Sequence, residues 1–136
     1  MKNNFAVLGL GTFGTSLAEE LSRAGHSILV VDSDAEKVNA IKDRVSEAVV
    51  ADVSNPDVIK EIDVKRFDTV ILGLSDNFEG LILAITHLKQ EGAKKVIAKS
   101  NTSIQKRILL RLGADDVILP ERDVAERLAK RLSLSY

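Results

Sequence analysis

Hydrophobic and polar positions alternate between two rhythms along this chain. Short apolar runs recur at Phe5-Ala6-Val7-Leu8, Ile28-Leu29-Val30-Val31, Ala48-Val49-Val50-Ala51, Thr69 to Leu74, Val96-Ile97-Ala98 and Val117-Ile118-Leu119. Each is too short for a helix, and all but Val96-Ile97-Ala98 have Gly, Asp, Asn or Ser on at least one side, which reads as a buried strand. Between the runs the spacing changes to helical. Phe13, Leu17 and Leu21 fall one turn apart, with Ala18 beside them. Val38 and Ile41 mark a helix over 34–43, entered through Ser33 or Asp34. Pro56 opens a short helix with Val58, Ile59 and Ile62 inward. Leu81, Ile82, Ala84, Ile85 and Leu88 define a helix over 77–90, closed at Gly92. Ser100 or Asn101 is expected to cap the next helix, through Ile104, Ile108, Leu109 and Leu112 to Gly113. Pro120 starts the last, with Val124, Leu128 and Leu132 in one stripe.

Six strands alternating with helices predict a single α/β domain of Rossmann type, a doubly wound parallel sheet covered on both faces. Right-handed crossovers and a reversal after the third strand give the order 3-2-1-4-5-6. Ligand is expected outside the carboxyl ends of strands one and four.

The candidate chemistry gathers at that edge. The first strand runs into Gly9-Leu10-Gly11-Thr12-Phe13-Gly14, a G-x-G-x-x-G turn that opens a helix. Gly9 permits the sharp turn, Gly11 lets the backbone approach a pyrophosphate, and Gly14 allows close packing of helix on strand. Helix N–H groups and the positive dipole end then face the anion. Asp32 ends the second strand, near the roughly 20-residue spacing expected of a carboxylate that accepts the ribose hydroxyls. Ser33 follows it where an arginine would be needed for a 2′-phosphate, so NADP is disfavoured. Asp52 and Val53 end the third strand, with Asp52 either meeting an adenine amino group or capping its own loop. Ser75 and Lys99 lie at the ends of strands four and five, Lys99 as a candidate phosphate neighbour.

Composition narrows the field. The net charge is −1, with 45% hydrophobic and 29% charged residues, so no broad basic footprint for nucleic acid is present. No apolar run approaches the roughly 18 residues of a membrane span, and the first strand begins at once, without a signal peptide; the expectation is a cytoplasmic protein. The chain has no cysteine. His26 and His87 show no zinc spacing, and neither a G-x-S-x-G elbow nor a Walker lysine occurs. The motifs support binding, with no evident catalytic group.

The glycine turn, Val31-Asp32, Ala51-Asp52, Ala98-Lys99-Ser100 and the run from Ile108 through Gly113-Ala114-Asp115 to Pro120-Glu121-Arg122-Asp123 resemble the N-terminal domain of RCK, or TrkA-N (Trk/Ktr-type), regulators of potassium uptake. The resemblance covers essentially all of residues 1–136. It implies a non-enzymatic domain that dimerises, assembles as a ring beneath a membrane potassium channel or transporter, and alters the gate on binding NAD(H) or adenine nucleotides (ADP, ATP, AMP). It further implies phosphates at Gly9, Gly11 and Gly14, ribose at Asp32, adenine at Asp52 and phosphate near Lys99. Glu121 matches an acid that in Ktr-type members helps hold a divalent cation between subunits; alternatively it is a first-turn acid favourable to the helix dipole. Thr12 stands where those members commonly have arginine, which argues against ATP. Most members continue into a C-terminal ligand-sensing domain, expected to be absent from this chain. The competing reading is the NAD-binding half of a small dehydrogenase, whose dinucleotide site would look the same.

Overall fold

Alternating side chains within the apolar runs build two cores from one sheet. Strand β1 (Asn4–Leu8) sends Ala6 and Leu8 to one face and Val7 to the other. β2 (Ser27–Asp32) divides in the same way, Leu29 and Val31 against Ile28 and Val30. β4 (Thr69–Leu72) places Val70 and Leu72 opposite Ile71. Period-two alternation in strands that are buried on both faces requires helices on both. The computed structural model, which describes residues 2–74 and 77–135, supplies them.

α1 (Thr12–Arg23) and α2 (Ala35–Ile41) cover the face that holds Val7 and Val30, burying Ala18, Val38 and Ile41. α3 (Pro56–Ile62), α4 (Phe78–Gln90) and α5 (Ser103–Arg111) cover the other through Ile59, Leu81, Ile85, Leu88 and Leu109. With β3 (Glu47–Val50), β5 (Val96–Lys99) and β6 (Asp116–Ile118) the sheet has six parallel strands in the order β3-β2-β1-β4-β5-β6. α6 (Pro120–Leu134) closes the described chain. The fold class and strand order are as the sequence pattern implies.

Several boundaries differ, each for a local reason. β4 ends at Leu72 and not Leu74, because Gly73, whose N–H still donates to the Leu8 carbonyl at 2.8 Å, packs its backbone against Gly9. α5 is capped by Thr102, whose hydroxyl accepts from the Gln105 N–H at 3.1 Å. Ser100 is instead buried and extends β5, donating its N–H to the Ile118 carbonyl at 2.9 Å. Asp34 caps α2 through the Glu36 N–H, and the helix tightens into a 3₁₀ turn at Lys42–Arg44. A second 3₁₀ turn, Val64–Arg66, has no signal in the apolar spacing. The stripes of the last two helices face outward: of Ile104, Ile108, Leu109 and Leu112 only Leu109 is buried, and Val124, Leu128 and Leu132 are 44–55% exposed.

Between β5 and β6, Asp115 accepts from the Lys89 ammonium at 2.8 Å and from the Val96 N–H at 2.7 Å. The Lys89 hydrogen bond, then that amide, hold its carboxyl below the usual carboxylate value. A carboxylate whose pKa is depressed by folding stabilises the protein fully above its unfolded pKa of about 3.9 and ceases to do so as pH falls through the folded value. Asp115→Asn is therefore expected to lower the melting temperature at pH 7, and the difference from the parent to shrink as pH falls below the unfolded carboxylate value of about 3.9. Parallel melting curves from pH 7 to 3 would show that the contact adds nothing to stability.

Candidate functional site

Three glycine backbones meet where β1 and β4 end. Gly9 adopts φ = +110°, a left-handed backbone that only glycine enters readily. Its N–H donates to the Val31 carbonyl at 2.8 Å. A side chain there would fall 2.9 Å from the Gly73 carbonyl carbon. Gly14, in the first turn of α1, lies so close that a Cβ would sit 2.0 Å from the Gly9 carbonyl oxygen. These contacts lash helix to strand at the point where the strand order reverses.

Gly11 is different. As N-cap of α1 it has φ = −70°, open to any residue, and a Cβ there would meet no atom within 4 Å. Nothing in the fold demands glycine at this position. α1 is also peculiar at its start. α2, α3, α4 and α5 are each capped by a side chain, Asp34, Asn55, Asn77 and Thr102, and α1 has neither a side-chain cap nor an acid in its first turn. Its leading N–H groups and dipole are left to a group from outside the helix.

Asp32 faces this turn from the end of β2. The Leu10 N–H donates to its Oδ2 at 2.7 Å and the Asp34 N–H to its Oδ1 at 2.8 Å. The acid thus ties the glycine turn to the neck of α2, a structural duty invisible in the spacing. Each carboxylate oxygen retains a further lone pair. Asp52 uses Oδ1 for Ser54, accepting from its N–H at 2.9 Å and its hydroxyl at 2.7 Å. The hydroxyl first, then the amide, hold its carboxyl below the ordinary value. Loop capping is the role this geometry displays.

The sequence-selected residues line three hollows along the carboxyl edge. One, of ≈ 90 Å³, joins Asp32 and Ser33 to Asp52 and Val53. The next, ≈ 160 Å³, shares Asp32 and Leu74 with it and holds Gly9, Leu10 and Gly11. The third, a cleft of ≈ 560 Å³, is lined by Thr12, Phe13, Lys99 and Glu121 among others. Gly14 lines none of the three and is buried, so its visible part is packing. Ser75 lies outside the described residues. Sequence reading missed Lys37, Leu74, Asn77, Asn101 and Arg122, all of which line these hollows. Leu74 and Asn77 were noticed only as strand end and helix start; Lys37 carried no signal beyond helical spacing, and Arg122 stood in the Pro120-Glu121-Arg122-Asp123 run with no role attached. Glu121 is exposed in the first turn of α6. Among the described residues no group of three His, Cys, Asp or Glu side chains comes together to hold a metal ion. A lone exposed carboxylate does not make a cation site within one chain.

A family model for the TrkA-N domain matches residues 5–120. The chain is 36% identical over 132 residues to Ktr system potassium uptake protein C of Bacillus subtilis, covering 97% of this chain and 60% of that protein. It is 35% identical over 128 residues to Ktr system potassium uptake protein A of Vibrio alginolyticus, covering 94% and 58%. The chain thus spans about three-fifths of the length of these relatives. Among solved structures, the NAD(P)-binding domain of an exopolyphosphatase-related protein from Archaeoglobus fulgidus superposes with a TM-score of 0.83 at 20% identity, covering 96% of this chain and 98% of that one. The GsuK channel bound to NAD gives 0.73 at 16%, covering 87% and 21%. The Shewanella denitrificans Kef CTD in AMP-bound form gives 0.77 at 18%, covering 97% and 81%. These three likenesses concern the fold; together with the family match and the Ktr relatives, they lead to one assignment. The chain belongs to the TrkA-N domain family.

Proposed function

We propose that this chain is a nucleotide-binding regulatory domain of a potassium uptake system, and not an enzyme. One observation carries the reading: the uncapped, acid-free N-terminus of α1 opens beside Gly11, where no protein atom takes the space a side chain would fill. An anion placed there satisfies the leading amides and the dipole together. A diol reaching Asp32 receives its remaining lone pairs, and the hollow between Ser33 and Val53 accommodates adenine. NAD(H), ADP and AMP fit this arrangement, in keeping with the NAD and AMP of the related folds. ATP has no arginine at Thr12 to meet a third phosphate.

The link to potassium uptake is supported by the Ktr relatives, which are potassium uptake proteins by name. Copies of the chain pair, assemble as a ring and dock on a membrane transporter subunit at the inner face of the cell membrane. Among the described residues no helix is long and apolar enough to cross the membrane. Nucleotide acts by binding one arrangement of neighbouring domains more tightly than another, since equal affinity would shift nothing. Glu121 sits in the exposed first turn of α6, where a cation would need carboxylates from another copy.

Calorimetric titration of NAD⁺, NADH, ADP and AMP tests the binding. Gly11→Ala is expected to keep the parent melting temperature within about 1 °C and to weaken binding at least tenfold, about 1.4 kcal/mol, because the methyl occupies the approach of the phosphate. Unchanged affinity would remove the anion from the α1 terminus. Sustained nicotinamide turnover with small hydroxy acids would replace the regulatory reading by the dehydrogenase one.

A further inference from the structure

α5 carries charge of one sign only. From Ser103 to Gly113 the chain has Lys106, Arg107 and Arg111 and no acid. None of the three cations makes an ion pair among the described residues. The two acids that follow are engaged elsewhere. Asp115 accepts from Lys89 and the Val96 N–H, and Asp116 from the Val117 N–H at 2.8 Å. Leu109 is the helix's one buried residue, so the rest of its surface is turned away from the core. Ile104, Arg107, Ile108 and Arg111, spaced i, i+3, i+4 and i+7, line one hollow of ≈ 190 Å³ there. Ile104 is 69% exposed and Ile108 39%, and no other isoleucine among the described residues is exposed.

We infer that this outer face of α5 docks on an anionic lipid surface. The inference lies outside the nucleotide crevice. It rests only on that part of the proposed function which brings the domain to the inner face of a membrane, where the leaflet carries negative lipid. The isoleucines and the arginine stems enter the headgroup boundary, and the guanidinium heads stay at the phosphates. Charge decides the occupant. A second copy offering its own α5 would bring six cations together with no acid between them, a repulsive contact. The outward stripe of α6 is flanked by both signs, Asp123 and Glu126 with Arg127 and Lys130, which suits a contact between copies. An acidic peptide would need a groove, and a hollow walled by four side chains of one helix is not one. A lipid surface needs only an exposed helix face with apolar side chains among cations.

Cosedimentation of the purified protein with vesicles tests this, using phosphatidylcholine alone and with about one-third phosphatidylglycerol. The expected result is about tenfold or stronger partition onto the anionic vesicles in about 0.1 M salt, most of it lost in about 0.5 M salt. Arg107→Gln with Arg111→Gln should remove that preference, and Ile104→Ser should weaken partition about threefold or more. Both variants change exposed side chains and should keep the parent melting temperature and nucleotide affinity. Arg127→Gln with Lys130→Gln removes as much charge from α6 and should leave partition unchanged. Equal partition onto the two kinds of vesicle overturns the inference. So does an equal loss in the α5 and α6 variants, which reports diffuse attraction and no docking face. A lower oligomeric mass in the α5 variants, with vesicle binding unchanged, assigns the face to a contact between copies and also overturns it. Each of these failures leaves nucleotide affinity, and the nucleotide reading, as they were.

Discussion

Gly14→Ala should destabilise the protein by about 3–5 kcal/mol, a large part of the 5–15 kcal/mol typical of a domain. The sign makes it diagnostic, for glycine to alanine inside a helix ordinarily gains up to about 1 kcal/mol. Here the added methyl falls 2.0 Å from the carbonyl oxygen of Gly9 and 3.1 Å from its carbon. Both are backbone atoms, and Gly9 cannot retreat, because Gly73 stands behind it. α1 must tilt away from β1, which opens the Ala18 side of the core. Melting should drop by roughly 15 °C at this chain length. A Gly14→Ala protein as stable as its parent would mean that the helix and the turn are not in the contact described.

The second large effect belongs to Asp32. Asp32→Ala removes the acceptor for two backbone N–H groups, those of Leu10 and Asp34. Hydrogen bonds to a charged group are worth about 1.5–3 kcal/mol each, and the partial exposure of Asp32 places the combined loss near 2–3 kcal/mol. Binding of any diol-bearing nucleotide should fall ten- to a hundredfold with it. Asp32→Asn separates the two duties. Its single carbonyl oxygen restores one of the backbone bonds, so about half the stability returns, and its NH₂ cannot replace the second acceptor a diol needs. Chemical denaturation reads the first duty and calorimetry the second. If Asp32→Asn binds as the parent does, the acid serves the fold alone.

These two residues show how far the sequence could be read. The six-strand order was legible because the apolar runs are short and the intervening spacing is helical, and because handedness leaves few ways to connect them. The glycine turn and Asp32 were legible because their spacing reflects a fixed distance between strand ends. What Asp32 does to Leu10 and Asp34 was not, since backbone amides leave no trace in side-chain pattern. Thr102 as the cap of α5 was missed in favour of Ser100 and Asn101: all three residues suit a cap, and only the length of β5 decides among them. The outward direction of the α5 and α6 stripes was not legible, because periodicity locates an apolar face and not what lies opposite it. Lys37 and Arg122 were given no site role because a solvated cation on a helix is the commonest residue of its kind.

The wedged glycines also determine where binding can be felt. With the Gly9 carbonyl clamped between Gly14 and Gly73, the floor of the crevice is an anvil, and a ligand striking it finds no give in the sheet. α6 has no buried residue along its length, yet Pro120, Glu121 and Arg122 in its first turn reach the same crevice. It is the loosest lever within reach, so whatever recoil an arriving ligand produces will travel outward along that helix.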